Sequence, residues 1–73
     1  MHDLITLIQL LAFGVNVRIR DNTTGIEIAG KTGEKLNRNL KNLIIDYHMV
    51  NAYVTRITPL HSAQELYIEC NTR

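Results

Sequence analysis

VNVRIRDNTTGIEI, residues 15–28, is the stretch that decides the fold, because two alternating segments flank a turn. Apolar residues occupy every second position on both sides of that turn: Val15, Val17, Ile19, Ile26 and Ile28. Successive side chains of a strand point to opposite faces, so this pattern predicts a β-hairpin with one buried and one solvent-exposed face. The turn, residues 21–25, has the sequence DNTTG, whose small polar residues and glycine favour chain reversal.

An apolar segment precedes the hairpin and predicts a first helix. Asp3 suits the N-cap and Gly14 the position just after the C-terminus. Leu10 and Phe13 lie outside the main apolar stripe, so this helix is apolar over more than the width that covers one sheet. Two interpretations stay open: a small core wraps around the helix, or a second chain buries Leu10 and Phe13.

A second helix and a second hairpin follow. Thr32 can cap the helix, and one helix face carries Leu36, Leu40, Leu43 and Ile44. From about residue 48 the composition shifts to β-formers, and Pro59 is expected to end that strand. Residues 64–71 alternate again, which predicts the last strand.

This order of elements predicts a single α+β domain over residues 1–73. The expected architecture is helix–hairpin–helix–hairpin, a four-stranded antiparallel sheet with two helices on one face. A chain of 73 residues has the length of one domain. Such a domain buries only about 60–65% of the surface that it exposes when unfolded, so it is marginal as a monomer.

Composition and targeting signals point to the cytoplasm. The net charge of +1 gives no general attraction to nucleic acid or to acidic membranes. A single cysteine, Cys70, fits a reducing compartment. The apolar start lacks the basic residues and the cleavage site of a signal peptide, so we expect it to be a helix of the mature protein.

Residues 25–32, GIEIAGKT, match the phosphate-binding pattern GxxxxGK[ST]. A phosphate cradle needs a curled loop whose N–H groups converge on oxygen atoms. Residues 26–29 instead have the composition of a strand, and Glu27 repels phosphate. The chain is also too short for the parallel sheet, covered on both faces, that such enzymes use. We therefore expect no nucleotide hydrolysis.

Other chemistry-bearing residues form no recognisable constellation. His2, His48 and His61 are widely spaced and form no ligand pair with one another. Cys70 alternates with Leu66 and Ile68 onto the buried face, where a thiol is inert. We expect a protein that is not an enzyme, with no catalytic residue, metal site or cofactor.

The exposed face of the sheet carries charged and aromatic residues. Arg18 and Arg20 share it with several glutamates, which predicts cross-strand ion pairs. Two alternatives use the same face. One is a protein interface that comprises Arg18 and Arg20, with Tyr53 and Tyr67 as its anchors, and the other is a grip on a small anion by Arg18, Arg20 and Tyr67. A basic surface at the second helix could instead follow a phosphate backbone, and comprises Lys31, Lys35, Arg38 and Lys41.

The order of these segments resembles small proteins encoded by phages and prophages, most of them uncharacterised accessory proteins. The similarity lies in the apolar first helix, the strand at 15–19, the turn at 21–25 and the closing strands at 50–54 and 66–69. It implies a non-enzymatic protein that binds other proteins in the host cytoplasm, and no catalytic residues. Inhibition of a host defence system, as by an anti-CRISPR protein, is one implied role. The near-neutral charge argues against DNA mimicry, which needs an acidic surface.

Three functions follow as hypotheses. The first is protein binding. It includes self-association into a homo-oligomer, with a dimer favoured, whose interface uses Leu10 and Phe13. The second is nucleic-acid binding, which predicts an affinity that falls steeply with salt. The third is binding of a small anion, which predicts a thermal shift with anionic nucleotides.

Overall fold

The computed structural model describes residues 2–12 and 14–72 and has the expected α+β class. Its elements are β1 (His2–Asp3), α1 (Leu4–Leu10), β2 (Asn16–Asp21), β3 (Glu27–Lys31), α2 (Glu34–Asp46), β4 (Tyr53–Leu60) and β5 (Glu65–Asn71). Four of the strands have five residues or more, and β1 adds a two-residue edge. The strands form one sheet in the order β1-β4-β5-β2-β3.

Both predicted hairpins are confirmed, but the prediction of an antiparallel sheet is wrong at its centre. β2 pairs antiparallel with β3, and β4 pairs antiparallel with β5. The hairpins meet through β2 and β5, which are parallel, with Ile19 opposite Ile68. The reason is the connection: α2 carries the chain back along the sheet, so β4 starts at the end where β3 started. The sheet is therefore mixed.

The first helix is shorter than predicted. α1 ends at Leu10, and Leu11 is already extended. The segment that follows α1 is held against the end of β3 by Thr32. The Thr32 N–H donates to the Val15 carbonyl at 2.8 Å, and the Thr32 carbonyl accepts from Gly14 N–H at 2.6 Å. Those bonds require an extended chain at residues where the sequence allows another helical turn, so tertiary contacts end the helix.

Thr32 is a connector and not the predicted helix cap. It is fully buried, and its hydroxyl accepts from Val15 N–H at 2.8 Å and donates to the Ala12 carbonyl. The N-cap position of α2 belongs to Gly33. A threonine that bonds to the α1–β2 connection has no free hydroxyl for a helix end, which explains the difference.

Pro59 does not end its strand, contrary to the prediction. β4 continues through Pro59 to Leu60 and stays in register with β5, where Pro59 lies opposite Leu66. β1 pairs only with Tyr53 and Val54, so the later part of β4 is an edge. A proline is tolerated on an edge strand because its missing N–H needs no ladder partner there.

The core lies between one face of the sheet and the two helices. The fully or almost fully buried apolar residues are Leu4, Ile8, Val17, Ile19, Ile28, Leu40, Ile44, Met49, Ala52, Ile68 and Cys70. Each large apolar side chain in such a core contributes about 1.5–3 kcal/mol of transfer free energy. A Cβ placed on Gly30 would lie 3.1 Å from Leu40 Cδ1, so the missing side chain lets α2 pack closely on β3.

Candidate functional site

The face of the sheet opposite the helices, which we call the helix-free face, is organised around Arg18. Its Nη1 lies 2.9 Å from Glu27 Oε1 and its Nε 3.0 Å from Glu65 Oε2. Register explains the arrangement, because β2 lies between β3 and β5 and Arg18 reaches carboxylates on both neighbours. The cross-strand ion pairing predicted for this face is confirmed.

These contacts shift the titration of the groups involved. Hydrogen bonds to Glu65 and then Glu27, with the charges of both carboxylates, raise the pKa of Arg18 above its usual value. The hydrogen bond from Arg18 in turn lowers the pKa of Glu65. Arg18 is therefore charged at all relevant pH values, and its charge is already matched by two carboxylates.

The other two arginines of this face are held more loosely. Arg20 Nε donates to Asn22 Oδ1 at 3.0 Å, and its Nη1 lies 3.9 Å from Glu27 Oε2. Arg56 Nε lies 3.8 Å from Glu69 Oε2, and the Arg56 side chain is 73% exposed. Arg56, which was not among the residues selected from the sequence, thus has the most exposed side chain of the three arginines that pair on this face.

The tyrosines selected from the sequence lie at different places on the sheet. Tyr67 is half-buried on β5, directly between Arg18 on β2 and Thr58 on β4. Tyr53 lies at the other end of the sheet, opposite Asp3 on β1 and Asn71 on β5. Arg18 and Tyr67 are therefore neighbours, whereas Tyr53 is not part of the same cluster.

Leu10 belongs to the opposite layer of the molecule. It is the last residue of α1 and is 77% exposed. Arg18 and Tyr67 lie on the helix-free face, so a single flat interface does not include them together with Leu10. Phe13, the second residue selected from this segment, lies outside the described residues.

Exposed apolar side chains also occur at the end of α2, where the sequence analysis placed no site. Ile45, Tyr47 and Val50, which we call the α2-end cluster, lie within six residues of one another and are 43–53% exposed. The amphipathic spacing of α2 gave no signal for this cluster, because continued to residue 47 it places Tyr47 on the buried face with Leu40, Leu43 and Ile44. α2 ends at Asp46, however, and the chain turns at His48 with φ +59°.

Backbone hydrogen bonds and buried residues position the α2-end cluster. Tyr47 N–H donates to the Leu43 carbonyl at 3.0 Å, and Met49 N–H donates to the Ile44 carbonyl at 2.8 Å. Met49 and Ala52, which flank Val50 closely in the chain, are fully buried. The backbone that carries the exposed apolar groups is thus already ordered by its buried neighbours, so a partner that covers them need not order that backbone.

The basic surface proposed for nucleic acid is not assembled by the side chains that the structure describes. Lys31 pairs with Asn16 and lies on the sheet. Lys41 is half-buried on α2, in the helix layer. The side chains of Lys35 and Arg38 lie outside those described. Lys31 and Lys41 therefore do not form one surface by themselves.

The phosphate-binding pattern folds as a strand. Residues 27–31 form β3 and pair along β2 in regular register. Thr32, which would bind a metal–phosphate complex in such an enzyme, is buried and bonds to Val15 and Ala12. The strand predicted for the middle of this pattern is thus observed, and along an extended strand the N–H groups alternate in direction and do not converge on an anion.

A cleft of about 510 Å³ on the helix-free face bears on the anion hypothesis. It lies between Arg18, Lys31 and Glu65, with Ala29 and Ala63 among its other lining residues. Because Glu65 lines the same cleft and binds Arg18, a bound anion would face a carboxylate. The geometry does not favour an anion there.

Asp21 is the buried charged residue of the described chain, and its contacts are structural. Its Oδ1 accepts from Thr23 N–H at 2.9 Å and Thr72 N–H at 3.3 Å. Its Oδ2 accepts from the hydroxyls of Thr24 at 2.9 Å and Thr72 at 3.0 Å. Burial alone would raise the pKa of Asp21, but the hydrogen bonds from Thr24, Thr23 and Thr72 outweigh it and lower the pKa.

The remaining chemistry-bearing groups show no site within the described residues. No group of three or more His, Cys, Asp or Glu side chains among them is arranged to hold a metal ion. Cys70 is fully buried, and this burial, followed by the charge of Asp21, raises the pKa of its thiol to about 11. Neither described helix has the length and apolar character needed to cross a membrane.

Comparisons with models of protein families, with curated proteins and with solved structures found no match for this chain.

Proposed function

We propose that this chain is a non-enzymatic protein that acts by binding another protein through the α2-end cluster. The observation that carries the proposal is the exposure of Ile45, Tyr47 and Val50 close together in the chain, on a molecule whose charged face is internally paired. Tyrosine is enriched among residues that dominate binding energy, since it combines a large apolar ring with a polar group.

The two other hypotheses receive less support from the geometry. Nucleic-acid binding needs several cations that follow a phosphate backbone, and Lys31 and Lys41 lie on different layers. Anion binding needs a cation free to pair, and Arg18 already has two carboxylates within 3.0 Å. Protein binding requires neither and uses side chains that are exposed and apolar.

The biological role that we propose is that of a phage accessory protein, on the basis of its resemblance to small phage-encoded proteins. Host defence proteins are therefore the class of partner to test first. With a net charge of +1, the chain would not act by imitating DNA. It would instead cover or block a surface of its target.

The test is direct binding to purified host defence proteins, measured by calorimetry for the wild type and three variants. Tyr47→Ala and Ile45→Ser are expected to weaken binding by more than about tenfold, as loss of a dominant interface residue does. Lys41→Ala, on the same helix, is the matched control and is expected to bind like the wild type.

Opposite outcomes would reject the proposal. Affinity for nucleic acid that falls with salt and is lost in Lys41→Ala would support the second hypothesis instead. A thermal shift with anionic nucleotides that disappears in Arg18→Ala would support the third.

A further inference from the structure

The outer edge of β4 is open over most of its length. β1 pairs with Tyr53 and Val54 only, and no other strand of the described residues lies beside positions 55–60. The N–H and C=O groups along such an edge have the geometry to pair with a further strand. β4 therefore offers backbone hydrogen bonds that water satisfies in the isolated chain.

The open stretch is short because both of its ends are obstructed. The register between β4 and β5 shifts between Val54 and Arg56, which marks a bulge, and Pro59 has no N–H to donate. Regular pairing is thus confined to residues 56–58. A long extended peptide would meet the bulge or the proline, whereas a short symmetric contact would not.

Side chains on the helix side of this stretch are apolar and uncovered. Ile57 lies opposite the fully buried Ile68 and so faces the helix layer, yet it remains 45% exposed. Neither helix covers the sheet fully at this position. A strand added beside β4 would bring its own side chain against Ile57.

We propose that the occupant is a second copy of this chain, whose β4 pairs antiparallel with β4 of the first about a two-fold axis at Ile57. This inference extends the proposed function by naming one protein partner, and it uses a different surface. The axis places Ile57 opposite its own copy and Arg56 opposite Thr58 of the second copy. The same three residues serve both chains, which is the self-complementarity that a two-fold interface requires.

Charge supports this axis. Arg56 is the only charged residue of β4, and an axis at Ile57 keeps the two arginines from facing each other. Within each chain Thr58 lies opposite Tyr67 of β5. In the dimer, the residue next to Thr58 of the second copy, on the side away from Arg56 of the first, is therefore the second copy's Tyr67. The Arg56 side chain is 73% exposed, and its contact with Glu69 is loose at 3.8 Å. Its guanidinium group is therefore able to stack on the tyrosine ring of the second copy.

The first experiment measures mass in solution. Sedimentation of the wild type at micromolar to submillimolar concentrations is expected to show a dimer, twice the chain mass of 8.4 kDa. Ile57→Lys is expected to weaken the dimer by at least about 100-fold, because it places two ammonium groups face to face. Ile45→Lys, at a somewhat more exposed isoleucine on α2, is the control and should remain dimeric.

The second experiment does not depend on how well the lysine variant folds. Directly opposite residues of an antiparallel pair have Cα atoms about 4.5–5.5 Å apart, within the range that a disulfide spans. Ile57→Cys is therefore expected to cross-link to itself under mild oxidation, much faster than Ile45→Cys. Cys70 is buried and should stay reduced in both variants.

A monomeric wild type, a dimer that survives Ile57→Lys with native circular dichroism, or equal cross-linking of the two cysteine variants would overturn the strand pairing. None of these results bears on the α2-end cluster, whose test uses Tyr47→Ala and a different protein. Conversely, Ile57→Lys should still bind that protein if only the dimer is lost.

Discussion

Removal of the Asp21 carboxylate is expected to destabilise the fold more than any other single change in the β2–β3 turn. The carboxylate is fully buried and accepts four hydrogen bonds, from Thr23, Thr24 and, twice, Thr72. Thr72 follows β5 directly, so Asp21 joins the turn to the last strand. Asp21→Ala removes the acceptor of two amide donors, those of Thr23 and Thr72, in a partly buried position.

The magnitude follows from these contacts. Hydrogen bonds to charged groups contribute about 1.5–3 kcal/mol each, but the threonine hydroxyls can rotate toward water, so we expect Asp21→Ala to cost about 2–4 kcal/mol. A domain of this length has a total stability of about 4–11 kcal/mol. Since 1 kcal/mol lowers the unfolding midpoint of a small domain by about 4–8 °C, the alanine variant should melt at least about 8 °C lower.

Asp21→Asn separates geometry from charge. The amide oxygen can still accept from the Thr23 and Thr72 N–H groups, and the amide nitrogen can donate to hydroxyls that rotate. We expect a smaller loss of about 1 kcal/mol. Asn22→Ala is the control from the same turn, because Asn22 is exposed and its described side-chain contact is with Arg20. It should change the midpoint least.

The pH dependence has a defined sign. The hydrogen bonds lower the pKa of Asp21 below its usual value of 3.8, so its stabilising contribution is complete above that pH. It is lost as the pH falls through the lower pKa of the folded state. The difference between wild type and Asp21→Asn should therefore be constant near neutral pH and shrink in acid. Glu65, whose pKa is also lowered, is present in both proteins and cancels.

Urea and thermal unfolding followed by circular dichroism provide the measurements. If Asp21→Ala melts no lower than Asn22→Ala, the hydrogen bonds do not stabilise the turn as described. A difference between wild type and Asp21→Asn that persists unchanged in strong acid would show that the charge of Asp21 is not what stabilises the fold.

Four further outcomes follow from single contacts. Thr32→Val should cost about 1–3 kcal/mol in urea unfolding, since it removes both hydroxyl bonds to the α1–β2 connection, while Thr32→Ser should retain most of the stability. Gly30→Val should cost about 1–3 kcal/mol by forcing a side chain against Leu40, which a lower thermal midpoint would reveal. Arg18→Ala should shift the midpoint less than Thr32→Val, with a loss that diminishes in high salt, because its ion pairs are exposed. Cys70 should react with a thiol reagent only as fast as the protein unfolds, and rapid labelling of the native protein would contradict its burial.

The local sequence pattern was sufficient to predict an element when one of its faces is buried and the other is exposed to solvent. The alternation of residues 15–28 predicted the first hairpin, and its register places Ile19 opposite Ile28 on the buried face. The same alternation predicted that Arg18 meets carboxylates from neighbouring strands, as it does with Glu27 and Glu65. It also predicted that residues 26–29 form a strand, although they lie within a match to the phosphate-binding pattern, which would require a curled loop there.

Other features depend on contacts between residues far apart in the chain. α1 ends early because Thr32, about twenty residues later, holds the connection extended. Pro59 stays within β4 because β1 is too short to pair beside it. Neither of these causes is visible in the residues next to the feature.

The sequence by itself determined the type of the two helices and of the four longer strands, and which face of each is apolar, because those properties arise from residues two to four positions apart. Only the tertiary structure decided that the hairpins join through parallel strands, that β4 ends as an open edge and that the α2-end cluster remains uncovered. The physical reason is that strand direction and exposure depend on where a long connection returns the chain, and that is settled by packing across the whole core.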